Sequence, residues 1–87
     1  MIFAAIEDPN TPAPNNYIVY CNDGVVETRL SARDAGALVR RLNNLTEAKQ
    51  REALSCRPTP MPTHLAVKAR LRLKNKEAEL GSGLGRG

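Results

Sequence analysis

The single histidine, His64, and the two cysteines, Cys21 and Cys56, are the side chains best suited to nucleophilic attack or soft-metal binding. Nucleophilic catalysis requires a base held beside the nucleophile and a third group to orient that base. Cys56 and His64 stand eight positions apart with no carboxylate close to them in sequence, so they read as a small thiol and an ordinary histidine. The thiols also lack the short ligand spacings of a structural zinc site. Among the acids, Glu7 and Asp8 are adjacent in a proline-rich stretch, and Glu47 and Glu52 fall on a short helical segment. General acid–base work needs carboxylates in a cleft, and these patterns read as solvated surface. Gly81, Gly83, Gly85 and Gly87 follow helix-forming sequence, whereas a phosphate-cradling loop opens a helix after a strand. The expectation is a non-enzymatic chain without metal or cofactor.

Charge is the stronger signal. Residues 1–62 carry seven basic and seven acidic side chains, so the net charge of +4 resides wholly in residues 63–87. Lys68, Arg70, Arg72, Lys74 and Lys76 supply most of it. A concentration of this kind suits an anionic partner, either an acidic protein surface or a nucleic acid. As a strand, this segment would set its first four cations on one face at about 6–7 Å intervals, near the spacing of backbone phosphates. As a helix, it would place Lys68, Arg72 and Lys76 in one row. The chain has three aromatic residues, Phe3, Tyr17 and Tyr20, and none interleaves with these cations, so base stacking is not expected.

A second candidate surface comes from the hairpin. Ile18, Tyr20 and Val25 alternate onto the face opposite the expected core. Left open, they would make an apolar, tyrosine-bearing patch of the type proteins bind, with Arg29, Arg40 and Arg41 nearby. Covered by the first strand or the C-terminal segment, they would be core instead.

The elements that position these residues follow from periodicity and turn chemistry. Ile2–Ile6 reads as a short strand, and Glu7–Asn16, with Pro9, Pro12 and Pro14, as a long loop. Tyr17–Cys21 and Val25–Leu30 form a hairpin with Asp23-Gly24 at its turn. That turn sets Cys21 opposite Val26, Val19 opposite Thr28 and Tyr17 opposite Leu30, with Tyr17, Val19, Cys21, Val26, Thr28 and Leu30 facing the core. Ser31 is a good N-cap, and Ala35, Leu38, Val39, Leu42 and Leu45 form an apolar stripe behind it. Asn43-Asn44 weakens that helix and Thr46 can cap a further piece, so residues 32–55 are one bent helix or two. Arg57–Pro62, with proline at 58, 60 and 62, is an extended connector.

Residues 63–80 carry conflicting signals. Leu65, Val67, Ala69, Leu71 and Leu73 alternate with polar or basic residues, as in a strand, while the composition is that of a helix. Pro62 and Thr63 suit a helix start and Gly81 a helix stop. On a helix, Leu65, Ala66, Ala69, Leu73 and Leu80 share one face and Val67 and Leu71 fall opposite.

Together these readings predict a small α+β protein: an antiparallel sheet containing the 17–30 hairpin, packed by a helix from about residue 32. Residues 1–56 form the core, 57–62 the connector, 63–80 a basic helix or strand, and 81–87 a flexible glycine-rich tail. The apolar run Met1–Ile6 is far too short to span a membrane. With no export signature, a cytoplasmic protein with reduced thiols is expected. The function expected is a binding module, an accessory or inhibitor that occludes an acidic surface of a larger protein or complex, with a nucleic-acid-handling complex among the candidate partners. Small charged chains of this type are common among phage accessory proteins. The alternative is sequence-nonspecific nucleic-acid binding through the basic segment, and a homodimer is compatible with either.

Overall fold

The computed structural model describes residues 1–54 and 59–85. Three strands, β1 (Ala4–Glu7), β2 (Tyr17–Cys21) and β3 (Gly24–Leu30), form an antiparallel sheet in the order β1-β2-β3. Helices α1 (Ala32–Asn43) and α2 (Glu47–Ala53) follow, and a 3-10 turn at Thr63–Leu65 leads into α3 (Ala66–Gly85). The expected α+β architecture, with a helix on the sheet from residue 32, is what the chain adopts.

The sheet is buried on both faces. Against α1 lie Phe3, Val19 and Cys21, meeting Ala35, Val39 and Leu42. On the other face, Ala4, Ile6, Ile18, Tyr20 and Val25 meet Leu65, Ala69 and Leu73 from the α3 region. The central strand therefore sends alternate residues into two separate cores, which explains its unbroken apolar sequence. The patch expected of Ile18, Tyr20 and Val25 is accordingly closed. Ile18 is 5% exposed and Tyr20 1%, because α3 lies across them.

Burying a tyrosine strands its hydroxyl unless a partner is supplied. The Tyr20 hydroxyl donates to the carbonyl of Ala69 at 2.7 Å, and burial pushes its pKa up to about 12. That bond pins α3 to the middle of the sheet. The conflict between strand and helix in residues 63–80 resolves as helix, since Leu65, Ala69 and Leu73 recur at intervals of four and face the sheet. Val67 and Leu71 lie on the outer side, 75% and 56% exposed. The helix continues past the expected stop at Gly81 to Gly85. Glycine weakens a helix but retains its N–H, and no proline follows.

Local signals explain the remaining boundaries. The Ser31 hydroxyl accepts from the Asp34 amide at 3.1 Å, starting α1 as its N-cap pattern predicts. Asn44 closes α1, and Thr46 caps α2 by accepting from the Lys49 amide at 3.3 Å, so the 32–55 stretch holds two helices. Cys56, Arg57 and Pro58 lie outside the described residues.

The hairpin differs from its expected register. Cys21 pairs with Gly24 and Tyr20 with Val25, so Asn22-Asp23 form the turn. Gly24 follows it with φ 131°, a conformation that glycine adopts without penalty. The register then shifts twice, through Val19 opposite Glu27, and rejoins the expected pairing at Tyr17 opposite Leu30. The extra residues sit on β3, where Arg29 takes up a left-handed φ of 57°. The shift totals two residues, and the faces of β2 are those expected.

Two substitutions test the packing under α3. Tyr20→Phe removes one buried hydrogen bond and is expected to cost about 1 kcal/mol. Leu65→Ala, at a position 1% exposed, is expected to cost about 2–5 kcal/mol. Urea unfolding followed by circular dichroism measures both, and equal losses would contradict this account of the core.

Candidate functional site

The open edge of β1 is where the structure gathers charge around a concavity. At Phe3 the backbone direction is fixed by a partner beyond the sheet. Its N–H donates to Asn43 Oδ1 at 2.8 Å, and its carbonyl accepts from Asn43 Nδ2 at 3.0 Å. The Asn43 amide thus serves Phe3 as a neighbouring strand would. Met1 is held similarly, its carbonyl accepting from Gln50 Nε2 at 3.1 Å. The same nitrogen donates to the Leu42 carbonyl at 2.9 Å. Gln50 is 3% exposed, and these two hydrogen bonds satisfy its Nε2 donors. Neither amide was singled out by periodicity, since a clamp of this kind has no spacing signature.

Side-chain cover from Asn43 and Gln50 reaches the edge at residues 1 and 3, and a groove of about 540 Å³ opens beside Ala4 and Ala5. One wall is α1, with Gly36, Arg40 and Asn43; the other is α3, with Arg72, Lys76 and Glu79. Ala4 and Ala5 fill little of the floor. A Cβ added at Gly36 would meet nothing within 4 Å. A second hollow of about 480 Å³ continues along Ile6 and Glu7, sharing Arg72 and adding Lys68 and Leu71. Lys68, Arg72 and Lys76 are successive members of one i, i+4 row, so the helix turns them together toward β1.

The five cations of the basic segment therefore do not form one surface. Arg70 lines a different hollow, of about 220 Å³, against the hairpin turn and Pro60-Met61. Lys74, one turn further along, falls on that same flank. The single-faced ladder expected of a strand is replaced by two flanks, because a helix places i and i+2 on different sides. Arg40 lines the β1 groove, while Arg41 and Arg29 are exposed elsewhere. Ile18 and Tyr20 are core residues and form no open patch.

His64 has a partner that its sequence neighbourhood did not reveal. Its Nε2 lies 2.9 Å from Asp8 Oδ1, joining the long loop to the start of α3 across 56 residues of chain. Asp8 also accepts from the Asn10 amide and the Thr11 hydroxyl. These bonds, that from His64 foremost, hold its carboxyl below the usual aspartate range. Cys21 is buried, and burial raises its thiol pKa, which suppresses the reactive thiolate. Among the described residues no cluster of three His, Cys, Asp or Glu side chains is placed to hold a metal. Among them also, no helix is long and apolar enough to cross a membrane.

No protein-family model matches the chain, and no curated protein or solved structure resembles it closely enough to count as a match.

Two predictions follow from the geometry around this edge. Because the Asp8 carboxyl titrates below its ordinary value of 3.8, its ionised form stabilises the fold above that pH. That contribution disappears as pH falls through the lowered value. The stability difference between the wild type and Asp8→Asn should therefore be positive near neutrality and shrink toward zero in acid. Thermal melts across the acid range measure it, and a constant difference would refute the assignment. Gly36→Ala fills open space inside α1 and should stabilise the fold by about 0.5–1 kcal/mol by the same method.

Proposed function

We propose that this chain is a small non-enzymatic protein-binding module that occludes an acidic functional surface of a larger partner. The observation carrying this reading is the convergence of Arg40 from α1 with Arg72 and Lys76 from α3 around one groove, against the single carboxylate of Glu79. Cations brought together from two helices raise the local positive potential and steer an anionic partner to that spot. Arginine adds planar, bidentate recognition of carboxylates.

A protein partner fits better than a nucleic acid because the cations rim a recess. A rod with a charge on every phosphate is best met by a continuous basic surface, and here the basic residues divide between two flanks of α3. The Tyr20-bearing patch plays no part in this mechanism, since Tyr20 belongs to the core.

The test is affinity capture from lysate, with and without nuclease, using the tagged chain and two charge-reversal variants. Arg40→Glu/Arg72→Glu/Lys76→Glu alters the groove, and Arg70→Glu/Lys74→Glu alters the opposite flank. The expected result is a discrete protein that survives nuclease, is lost with the groove variant and is retained by the flank variant. Loss of every partner on nuclease treatment would replace this reading with nucleic-acid binding.

A further inference from the structure

The basic groove lies over the β1 edge of the sheet, whose backbone is incompletely covered. Strand residues alternate in the direction of their N–H and C=O groups, so the partners of one residue orient its neighbours. Phe3 directs both groups to Asn43, away from β2. Asp8 directs its N–H toward β2, to the Asn16 carbonyl at 2.7 Å. By this alternation Ala4 and Ile6 complete the ladder with Tyr20 and Ile18, and Ala5 and Glu7 direct their groups outward. Among the described residues, nothing pairs with the outward N–H or C=O of Ala5.

The opposite edge of the sheet is covered at Val25. Val25 exchanges both hydrogen bonds with Thr59, at 2.7 and 3.0 Å, so Thr59 lies against β3. A protein that leaves a sheet edge open invites pairing with another extended chain, and natural folds usually cover or charge such edges. Here the edge at Ala5 sits at the bottom of a groove between two helices, and the charges are on the walls, not in the slot itself.

We propose that an extended acidic segment of the protein partner adds to the sheet as a fourth strand beside β1, pairing with the backbone of Ala5 and Glu7. Its carboxylates meet Arg72 and Lys76 on one side and Arg40 on the other. This deepens the reading of the chain as a protein-binding module and rests on it. Main-chain pairing of this kind supplies affinity, and side chains alternating to the two walls supply selectivity. The small floor residues and Gly36 leave room for the added backbone. An acidic occupant is favoured over a second copy of this chain, because two copies meeting edge to edge would bring both sets of groove cations together.

The experiment uses the full chain and a fluorescein-labelled octapeptide that repeats Glu-Glu-Val-Val, which as a strand presents Glu to both walls. Controls are the Lys–Val counterpart and two Glu–Val peptides N-methylated at alternate backbone nitrogens, one in each phase. Fluorescence anisotropy should show saturable binding of the Glu peptide and none of the Lys peptide. One N-methylated phase should bind at least tenfold more weakly, because it has lost the donors that face β1. On the protein side, Ala5→Pro removes an outward N–H while leaving the ladder to β2 intact, as proline is tolerated on edge strands. It should weaken binding to a similar degree, and Gly36→Glu should do so through charge.

Should Ala5→Pro fail to fold, the N-methylated peptides against the wild-type chain still decide the question. Equal binding of all Glu peptides would overturn strand addition while leaving an acid-binding groove and the module reading in place. Absence of Glu-peptide binding would overturn the proposal. So would a wild-type dimer, seen by light scattering, that Ala5→Pro converts to monomer, since a second copy would then occupy the edge.

Discussion

The rest of the structure depends on a sheet of three strands being made to bury both of its faces. Such a sheet cannot be stable alone, since its two apolar faces both need cover and no single helix supplies it. The cover on one face is α1, joined to β3 through the Ser31 cap, and local connection nearly dictates its position. The cover on the other face is α3, which arrives from a distant part of the chain and is placed by its own contacts. Burial of Leu65, Ala69 and Leu73 attracts it, and the Tyr20 hydroxyl on the Ala69 carbonyl fixes where along the sheet it sits. Once that contact is made, the rotation of α3 about its axis is decided too. Lys68, Arg72 and Lys76 then have to face β1, and Arg70 the hairpin turn.

The sheet edges show a second constraint, that of accounting for every backbone polar group. Thr59, between two prolines, satisfies Val25 on the outer edge of β3. On β1 the side-chain amides of Asn43 and Gln50 do the equivalent for Phe3 and Met1. An amide side chain carries the same donor and acceptor pair as a peptide group, so it can stand in for a strand over one residue but not over several. Cover of this kind is economical, and it also leaves the edge open where the amides run out. Among the described residues every buried side-chain polar atom has a hydrogen-bond partner, so the open positions belong to the main chain at the surface.

Electrostatics here is a matter of arrangement more than of strength. The pairs Arg51–Glu47 and Lys49–Glu52 are exposed helix-surface contacts of the kind that add little stability. Among the described residues the groove cations Arg40, Arg72 and Lys76 form no such pair, which leaves their charge available to a partner. The Asp8–His64 contact is different again, because it ties the proline-rich loop to the segment that begins α3. It bears on how firmly that loop is held at one end of the groove, where Glu7 and Pro9 line the hollow along β1.

Much of this was legible residue by residue. Alternation assigned both faces of β2, Ser31 and Thr46 marked helix starts, and the stripe from Ala35 to Leu42 named the face that α1 buries. Those properties are local, set by side-chain period and by hydrogen bonds across three or four residues. The hairpin register near the turn differs from the expected one because a glycine that suits a tight turn also suits the position just after one, and only the pairing of Cys21 with Gly24 separates them. Whether Ile18 and Tyr20 were patch or core, and whether Lys68–Lys76 formed one basic surface or two, turned on contacts between segments about 50 residues apart. Asn43, Gln50 and the Asp8–His64 pair carry no sequence pattern for the same reason. Periodicity and cap residues alone assign the hairpin strands and the start of α1 and place the excess charge near the C-terminal end, but leave residues 63–80 open between helix and strand. Tertiary structure decided which apolar face was left for solvent and which cations meet at the β1 edge, because long-range packing under α3 selects one docking from the several that local periodicity allows.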